Sequence, residues 1–152
     1  MSDKIFSKKI IVYTDGGSRG NPGPSALGVV VADEKGKIIK KYGQFLGEMT
    51  NNQAEYEAVI FALKKIKALL GKDKIQNIEV EIRSDSELLV SQMEGKFKIM
   101  DEDMQRLFIS VWNLKIDYKK VEFVSIPREK NYEADALANQ AMNEQGRDQK
   151  LF

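Results

Sequence analysis

The hydrophobic pattern of the chain changes its period near Thr50, and this change restricts the possible folds more than any other feature of the sequence. Downstream of it, apolar residues recur at helical spacing up to Leu70, and Gly71 is typical of a helix C-terminus. Upstream of it, three stretches rich in β-forming residues predict strands, at residues 8–15, 26–32 and 37–45. We interpret these three strands as an antiparallel meander, because a short hairpin loop joins the second to the third.

Further strands and helices are predicted after the long helix. Residues 78–83 alternate apolar and charged side chains, which is typical of a strand with one solvated face or of an edge strand. The later segments predict two helices, a strand and a final helix, at residues 86–93, 101–114, 121–126 and 131–143. The resulting order, βββαβααβα, favours an α/β (α+β mixed) fold with a five-stranded mixed sheet and helices on both faces. Trp112, with Phe108 and Ile109 nearby on the third helix, is predicted to pack in the core.

The chain of 152 residues shows no internal repeat and no interdomain linker. We therefore predict a single domain over residues 1–152, with a core at about 8–143 and a flexible polar tail at 144–152. No apolar run approaches the roughly 20 residues of a membrane span, and the N-terminus lacks a signal-peptide core. These features predict a soluble cytoplasmic protein with no membrane partner.

The sequence contains no histidine and no cysteine. This composition excludes disulfides, thiolate zinc sites, Ser-His-Asp triads and metals held by imidazole. Any hydrolytic or metal chemistry must therefore depend mainly on carboxylates, hydroxyls, amides, lysine and arginine. The net charge of +1 is not typical of a general nucleic-acid binder, although residues 1–50 carry eight basic and five acidic side chains, 8 − 5 = +3.

Two carboxylates occupy unusual places in the first half of the chain. Asp15 is predicted to end the first strand, although an acid before glycine is also typical of a turn. Glu55 is predicted at the edge of the helix face that packs on the sheet, where an unpartnered carboxylate is costly. For Glu55 a structural alternative is a capping box with Asn52 as the N-cap.

Two more acids stand at corresponding places in the second half. Asp85 lies between a strand and a helix, and its structural alternative is a helix start with Ser84 and Glu87 as a capping box. Asp135 lies within the last helix, where an acid near the start also complements the helix dipole. If all four acids meet at one rim of the sheet, their mutual repulsion requires a cation, and oxygen ligands suit Mg²⁺ or Mn²⁺. A pair of such ions about 3.5–4 Å apart can clamp both oxygens of a phosphodiester displacement.

Four short motifs in this order resemble those of the type 1 ribonuclease H family. They are residues 13–23 (YTDGGSRGNPG), 50–55 (TNNQAE), 84–86 (SDS) and 131–138 (NYEADALA). The resemblance covers about residues 8–143 and implies a ribonuclease H fold. It also implies a nuclease that hydrolyses the RNA strand of RNA–DNA hybrids with two metal ions, leaving 5′-phosphate and 3′-hydroxyl ends.

The same resemblance assigns roles to individual residues. Asp15, Glu55, Asp85 and Asp135 would hold two Mg²⁺ ions, with Mn²⁺ as a substitute, and Asp15 would bridge them. Thr50 and Asn52 match a pocket for a phosphate of the DNA strand. The implied substrate contacts are Gly16, Gly17, Ser18, Thr50, Asn52, Gln53, Ser86 and Asn131. The implied partner is an RNA–DNA hybrid bound by a monomeric protein.

The sequence departs from the family pattern in two places. The loop before the final helix lacks the histidine of many members, and Arg128 is the candidate to replace it as a positive charge; the structural alternative is an ordinary surface arginine. The segment 95–103 lacks a basic protrusion, so a weaker grip on substrate is expected. Three alternatives remain open: a same-fold nuclease that also cuts double-stranded RNA, a non-catalytic nucleic-acid-binding module, and a structural cation-buffering protein.

Overall fold

The computed structural model describes residues 8–150, with side-chain detail for residues 8–145. Its sheet has the strand order β3-β2-β1-β4-β5, in which β1 pairs antiparallel with β2 and parallel with β4. This confirms the predicted five-stranded mixed sheet. The elements in chain order are β1 (Lys9–Ser18), β2 (Gly23–Asp33), β3 (Ile38–Met49), α1 (Asn51–Leu70), α2 (Lys72–Ile75), β4 (Glu79–Ser84), α3 (Glu87–Met93), α4 (Glu102–Ile116), β5 (Lys120–Ser125) and α5 (Tyr132–Lys150), with a 3-10 turn at Arg128–Lys130.

Helices cover both faces of the sheet. The main core lies between the sheet and α1, where Val12 and Ile82 pack near Val59 and Leu63 with almost no solvent exposure. The opposite face carries α5, which packs on β1, β2 and β3 and contributes the buried Met142. The carboxyl ends of the parallel strands β1 and β4 therefore lie at one rim, beside the starts of α1, α3 and α5.

Two paired glycines let α5 approach the sheet at backbone distance. Gly28 of β2 is the register partner of Gly43 of β3. A Cβ atom on Gly28 would overlap the carbonyl oxygen of Ala134, and one on Gly43 would lie 2.8 Å from the carbonyl oxygen of Leu137. Because no side chain separates helix from strand here, the glycines set the depth at which Asp135 is held above β1.

Some elements differ from those predicted. β4 lies between β1 and β5, so it is not an edge strand; its alternation instead reflects one buried and one solvated face. The final helix continues past Asn143 to Lys150, so most of the predicted tail is helical, while residues 151–152 lie outside the described part of the chain. The four-residue α2 was not predicted, because so short a helix has no periodicity to detect.

The prediction that Trp112 packs in the core is wrong. Trp112 is 49% exposed and Ile109 is 55% exposed, whereas Val111 is the fully buried residue of α4. Helical spacing identified an apolar face of α4 but did not show which side of the helix the sheet and α1 would cover. No helix in the described residues is both long enough and apolar enough to cross a membrane.

Candidate active site

Asp15 lies within β1, three residues before this strand ends at Ser18. β1 continues through Gly16 and Gly17 to Ser18 and pairs with β2 over this whole length, so the predicted strand end at Asp15 is wrong. A Cβ atom on Gly16 would overlap the backbone of Ala54, which shows that the glycine allows α1 to pass against the strand. Asp15 itself is 7% exposed.

Glu55 is brought to Asp15 by the start of α1. The N-cap of this helix is Thr50: its Oγ1 accepts from the Gln53 N–H at 3.2 Å, and the Gln53 side chain accepts from the Thr50 N–H at 2.9 Å. The alternative in which Asn52 caps the helix with Glu55 is therefore wrong. Glu55 is instead 6% exposed, and its Oε1 accepts a hydrogen bond of 2.7 Å from the Gly16 N–H.

Asp85 lies between β4 and the N-cap of α3. Ser86 caps that helix, since its Oγ accepts from the Leu89 N–H at 3.1 Å. Ser84 belongs to β4, and its Oγ accepts from the Ser86 N–H at 3.0 Å. The alternative capping box of Ser84 with Glu87 is therefore wrong, and Asp85 has no part in capping α3.

Three of the four predicted carboxylates converge at this rim of the sheet. One oxygen each from Asp15, Glu55 and Asp85 lies within 4.8 Å of the others, close enough to share a metal ion. Asp135 in the first turn of α5 is not a member of this group, but it lies close enough to Asp15 to raise the pKa of that carboxyl group. The donor set consists of oxygen alone, which is the coordination that Mg²⁺ and Mn²⁺ prefer.

Burial and mutual repulsion raise the pKa values of the clustered acids. Burial raises the pKa of Asp15 to about 9, and the charges of Glu55, Asp85 and Asp135 add to the effect. Burial likewise raises the pKa of Glu55 to about 8, against the opposing hydrogen bond from Gly16. The pKa of Asp85 is also raised by burial. At neutral pH the cluster therefore holds protons that a divalent cation would displace, which fits a metal site.

Comparison with known proteins agrees with this geometry. Residues 13–141 match the family model described as reverse transcriptase-like. The ribonuclease HI of Halobacterium salinarum is 38% identical over 136 residues, which cover 90% of this chain and 65% of that protein. The solved structure of LC11-RNase H1, isolated from compost by a metagenomic approach, is 46% identical with a TM-score of 0.84, covering 90% of this chain and 97% of the other.

The chain belongs to the type 1 ribonuclease H family. A second structure of LC11-RNase H1 holds an RNA/DNA hybrid; it is 46% identical to this chain with a TM-score of 0.84 and covers 89% of this chain and 97% of the other. The chain spans 65% of the length of the Halobacterium relative.

Arg128 is a positively charged residue that influences two acids of the cluster electrostatically. It lies exposed on the 3-10 turn Arg128–Lys130. Its charge lowers the pKa of both Glu55 and Asp85, in opposition to their burial. The arginine therefore faces the acid cluster, and its replacement of the family histidine stays a prediction.

Asn131 connects the start of the final helix to the strand that carries Asp15. It is 1% exposed, and its Nδ2 donates to the Thr14 carbonyl at 2.9 Å. Its side chain also lies close enough to Asp85 to lower the pKa of that acid, against the effect of burial. Its predicted substrate contact stays a prediction; in the structure, this side chain ties together the strand of Asp15, the loop of Asp85 and the start of α5.

The remaining predicted contact residues lie at the end of β1 and the start of α1. Ser18 donates from its N–H to Asn51 Oδ1 at 3.3 Å, and its Oγ donates to the Met49 carbonyl at 3.0 Å. Asn52 is exposed at the start of α1, while Thr50 and Gln53 form the cap. The sequence analysis did not single out two residues that link this segment to the loop after β1. They are Asn51 and Asn21, whose Oδ1 accepts a hydrogen bond of 3.2 Å from the Asn51 N–H.

The raised pKa values predict how the stability of the metal-free protein depends on pH. A carboxyl whose pKa is raised on folding binds more protons folded than unfolded, so its stabilising contribution is lost as pH rises through the folded value. For Asp15 and Glu55 this window extends from about pH 4 to about pH 9. In thermal melts in EDTA, the Tm should decrease as the pH is raised from 5 to 9. This decrease should be smaller with saturating Mn²⁺. A metal-free Tm that stays level or rises across this range would contradict the assignment.

Proposed function

We propose that the protein is an endoribonuclease that hydrolyses the RNA strand of RNA–DNA hybrids with two Mg²⁺ ions, for which Mn²⁺ can substitute. The convergence of Asp15, Glu55 and Asp85 within 4.8 Å is the observation that carries this proposal. The hybrid complex of the similar LC11-RNase H1 supports the choice of substrate. The proposed products carry 5′-phosphate and 3′-hydroxyl ends.

The acids and their neighbours supply the framework for this reaction. Bound divalent cations supply positive charge for the attacking water and the departing 3′ oxygen. Asp15, at the centre of the cluster, is the proposed bridging ligand. The Gly16 N–H holds Oε1 of Glu55 and leaves its second carboxylate oxygen for a cation. Asp135 completes the set from α5, beside the carboxyl group of Asp15.

Substrate is proposed to lie across the starts of α1 and α3. Backbone and side-chain donors near Gly16, Ser18 and Gln53 are suited to 2′-hydroxyls, which distinguish an RNA strand from DNA. Thr50 and Asn52 are the proposed contacts to a phosphate of the DNA strand. Such contacts set the register of the hybrid so that one scissile phosphate meets the acid cluster.

Strand-specific cleavage tests the proposed function. The purified protein is incubated with end-labelled RNA–DNA hybrid, double-stranded RNA and single-stranded RNA, each in Mg²⁺, in Mn²⁺ and in EDTA. We expect cutting of the RNA strand of the hybrid with either cation and none in EDTA. The product ends should be substrates for a ligase that requires a 5′-phosphate and a 3′-hydroxyl. Absence of hybrid cleavage with both cations would refute the proposal, and comparable cutting of double-stranded RNA would broaden the substrate class.

A variant of Arg128 tests its place at the site. Arg128→Ala removes the charge that lowers the pKa of Glu55 and Asp85, so the rising limb of the pH–rate profile should move to higher pH. Because the guanidinium is exposed, we expect a modest loss of about 3- to 10-fold in kcat near neutral pH. Lys130→Ala, which removes an equal charge from the same turn, serves as the matched control. Equal profiles for the two variants would show that Arg128 is an ordinary surface residue.

A further inference from the structure

Helix α5, which carries Asp135, is held to the sheet by few apolar side chains. Among the described residues, the large core between the sheet and α1 includes no residue of α5. On the α5 side, the buried cluster consists of Ala26, Ala138 and Met142. An element with few buried apolar contacts opens more easily than the core. Polar contacts therefore contribute a larger share to the placement of α5 than to that of α1.

Arg19, in the loop after β1, makes such polar contacts to α5. Its Nη2 donates to Asn143 Oδ1 at 2.7 Å and, at 3.4 Å, to both Oδ1 and the carbonyl oxygen of Asn139. Asn139 in turn donates from its Nδ2 to the Asp135 carbonyl at 3.0 Å. We call the contacts of Arg19 with Asn139 and Asn143 the clasp. Through the clasp, one guanidinium group binds two successive turns of α5 to the loop.

The same loop is bound on its other side to the start of α1. The Ser18 N–H donates to Asn51 Oδ1 at 3.3 Å, and the Asn51 N–H donates to Asn21 Oδ1 at 3.2 Å. Asn51 is the first residue of α1, the helix that carries Glu55. The loop therefore connects the helix of Glu55 with the helix of the fourth predicted acid, by a route that does not pass through the acids themselves.

The place of the clasp along α5 indicates how it acts on the site. Asn143 follows Asp135 by 143 − 135 = 8 residues, which is about 12 Å along a helix. At the other end of this segment, the carbonyl of Ala134 approaches Gly28, the register partner of Asp15. The segment is thus held by backbone packing at one end and by the clasp at the other. Without the clasp, α5 can tilt about the backbone contact and turn the Asp135 carboxylate away from Asp15.

We propose that Arg19 is a positioning residue, which through the clasp fixes the orientation of α5 and so holds Asp135 beside Asp15 for a shared cation. The inference rests on the proposed function, since Asp135 acts there as a metal ligand. Its consequence is specific: loss of the clasp weakens cation binding and leaves the affinity for hybrid unchanged. Residues that orient a metal ligand typically contribute about 10- to 100-fold to metal affinity. Because the side chains of Arg19 and Asn143 are exposed, we expect an effect near the lower limit.

Titration calorimetry with Mn²⁺ tests the clasp from both of its sides. Arg19→Met and Asn143→Ala should each bind Mn²⁺ about 10-fold more weakly than the wild type. The double variant should be no weaker than Arg19→Met alone, because both substitutions remove the same contact. Gln140→Ala, on α5 but outside the clasp, is the matched control and should bind like the wild type. Wild-type affinity in Arg19→Met would overturn the proposal.

A second cycle tests whether Arg19 acts through Asp135. In an Asp135→Asn background, Arg19→Met should cause no further loss of Mn²⁺ affinity, and a further loss of about 10-fold would contradict the proposal. Binding of labelled hybrid in Ca²⁺ tests the other reading, in which Arg19 binds a phosphate. In that case Arg19→Met would weaken hybrid binding and its salt dependence, and Asn143→Ala would not. Such a result would also contradict the proposal.

Hydrogen exchange of the metal-free protein separates this inference from the proposed nuclease. In Arg19→Met and Asn143→Ala, the amides of residues 135–143 should exchange faster than in the wild type, while those of α1 stay protected. This expectation holds whichever nucleic acid the protein cleaves. Unchanged exchange in α5 would refute the clasp even if hybrid is cleaved. Faster exchange and weaker Mn²⁺ binding without hybrid cleavage would support the clasp and refute only the proposed substrate.

Discussion

Asp15→Asn is expected to reduce hybrid cleavage by about 10³-fold or more while leaving hybrid binding nearly unchanged. The amide keeps the size of the side chain but removes the negative charge at the centre of the cluster, where Glu55 and Asp85 approach it within 4.8 Å. Loss of the proposed bridging ligand affects both cations at once, so added Mn²⁺ should restore little activity. Single-turnover cleavage measures the rate, and binding of labelled hybrid in Ca²⁺ measures affinity.

The same substitution should stabilise the metal-free protein. Burial and neighbouring acids raise the pKa of Asp15 to about 9, so its ionised form is unfavourable in the folded state without a cation. Replacing it with a neutral amide should raise the free energy of unfolding in EDTA at pH 9 by an amount on the order of 2 kcal/mol. Asp33→Asn, in the β2–β3 hairpin, is the control and should change neither stability nor cleavage appreciably. If Asp15→Asn cleaves like the parent, the metal-site assignment is wrong.

Gly16→Ala is expected to have the second large effect, through the backbone. A Cβ atom at this position would overlap the carbonyl group of Ala54, and backbone cannot rotate away as a side chain can. The start of α1 would have to move off β1, which would break the Gly16–Glu55 hydrogen bond and displace Glu55 from Asp15. We expect a destabilisation of about 3 kcal/mol or more, together with loss of cleavage.

The neighbouring glycine provides a matched comparison in the same strand. A Cβ atom on Gly17 would meet only the terminal carbon of Met142, at 3.9 Å, which is ordinary van der Waals contact. Gly17→Ala should therefore change the Tm by only a few degrees at most. Denaturant unfolding of both variants measures the difference. Equal stability of the two variants would show that α1 does not depend on the close approach at Gly16.

The order of strands and helices could be predicted because the hydrophobic period is a local property of the sequence. The convergence of Asp15, Glu55 and Asp85 could also be expected, since Asp15 and Asp85 lie near the carboxyl ends of strands and Glu55 near the start of a helix. The N-cap residues were harder to predict from the sequence, because several polar residues at each helix start could cap the helix. Thr50 rather than Asn52 caps α1 since Gln53 returns its hydrogen bond. Because the cap uses Thr50 and Gln53, the Glu55 carboxylate is not needed for capping and lies with Asp15 and Asp85 instead.

Other features depend on contacts distant in the sequence and were not predictable from local pattern. The covering of α4 by α1 decides that Val111 is buried and Trp112 is not. The close packing of α5 on Gly28 depends on the register of three strands and on Ala134, which follows 134 − 28 = 106 residues later. A glycine within a strand is nevertheless a usable signal of close backbone approach, and Gly28 and Gly43 both fit it.

Titration calorimetry of the wild-type protein and Asp15→Asn with Mn²⁺, in two buffers of different ionisation enthalpy, tests the central claim most directly. Because the pKa values of Asp15 and Glu55 are raised to about 9 and about 8, cation binding should release protons at pH 7, and the apparent enthalpy should differ between the buffers. The wild-type protein should bind the ion with this proton release, and Asp15→Asn should bind it at least about tenfold more weakly. Equal binding by both proteins, or binding without proton release, would contradict a metal site built on these carboxylates.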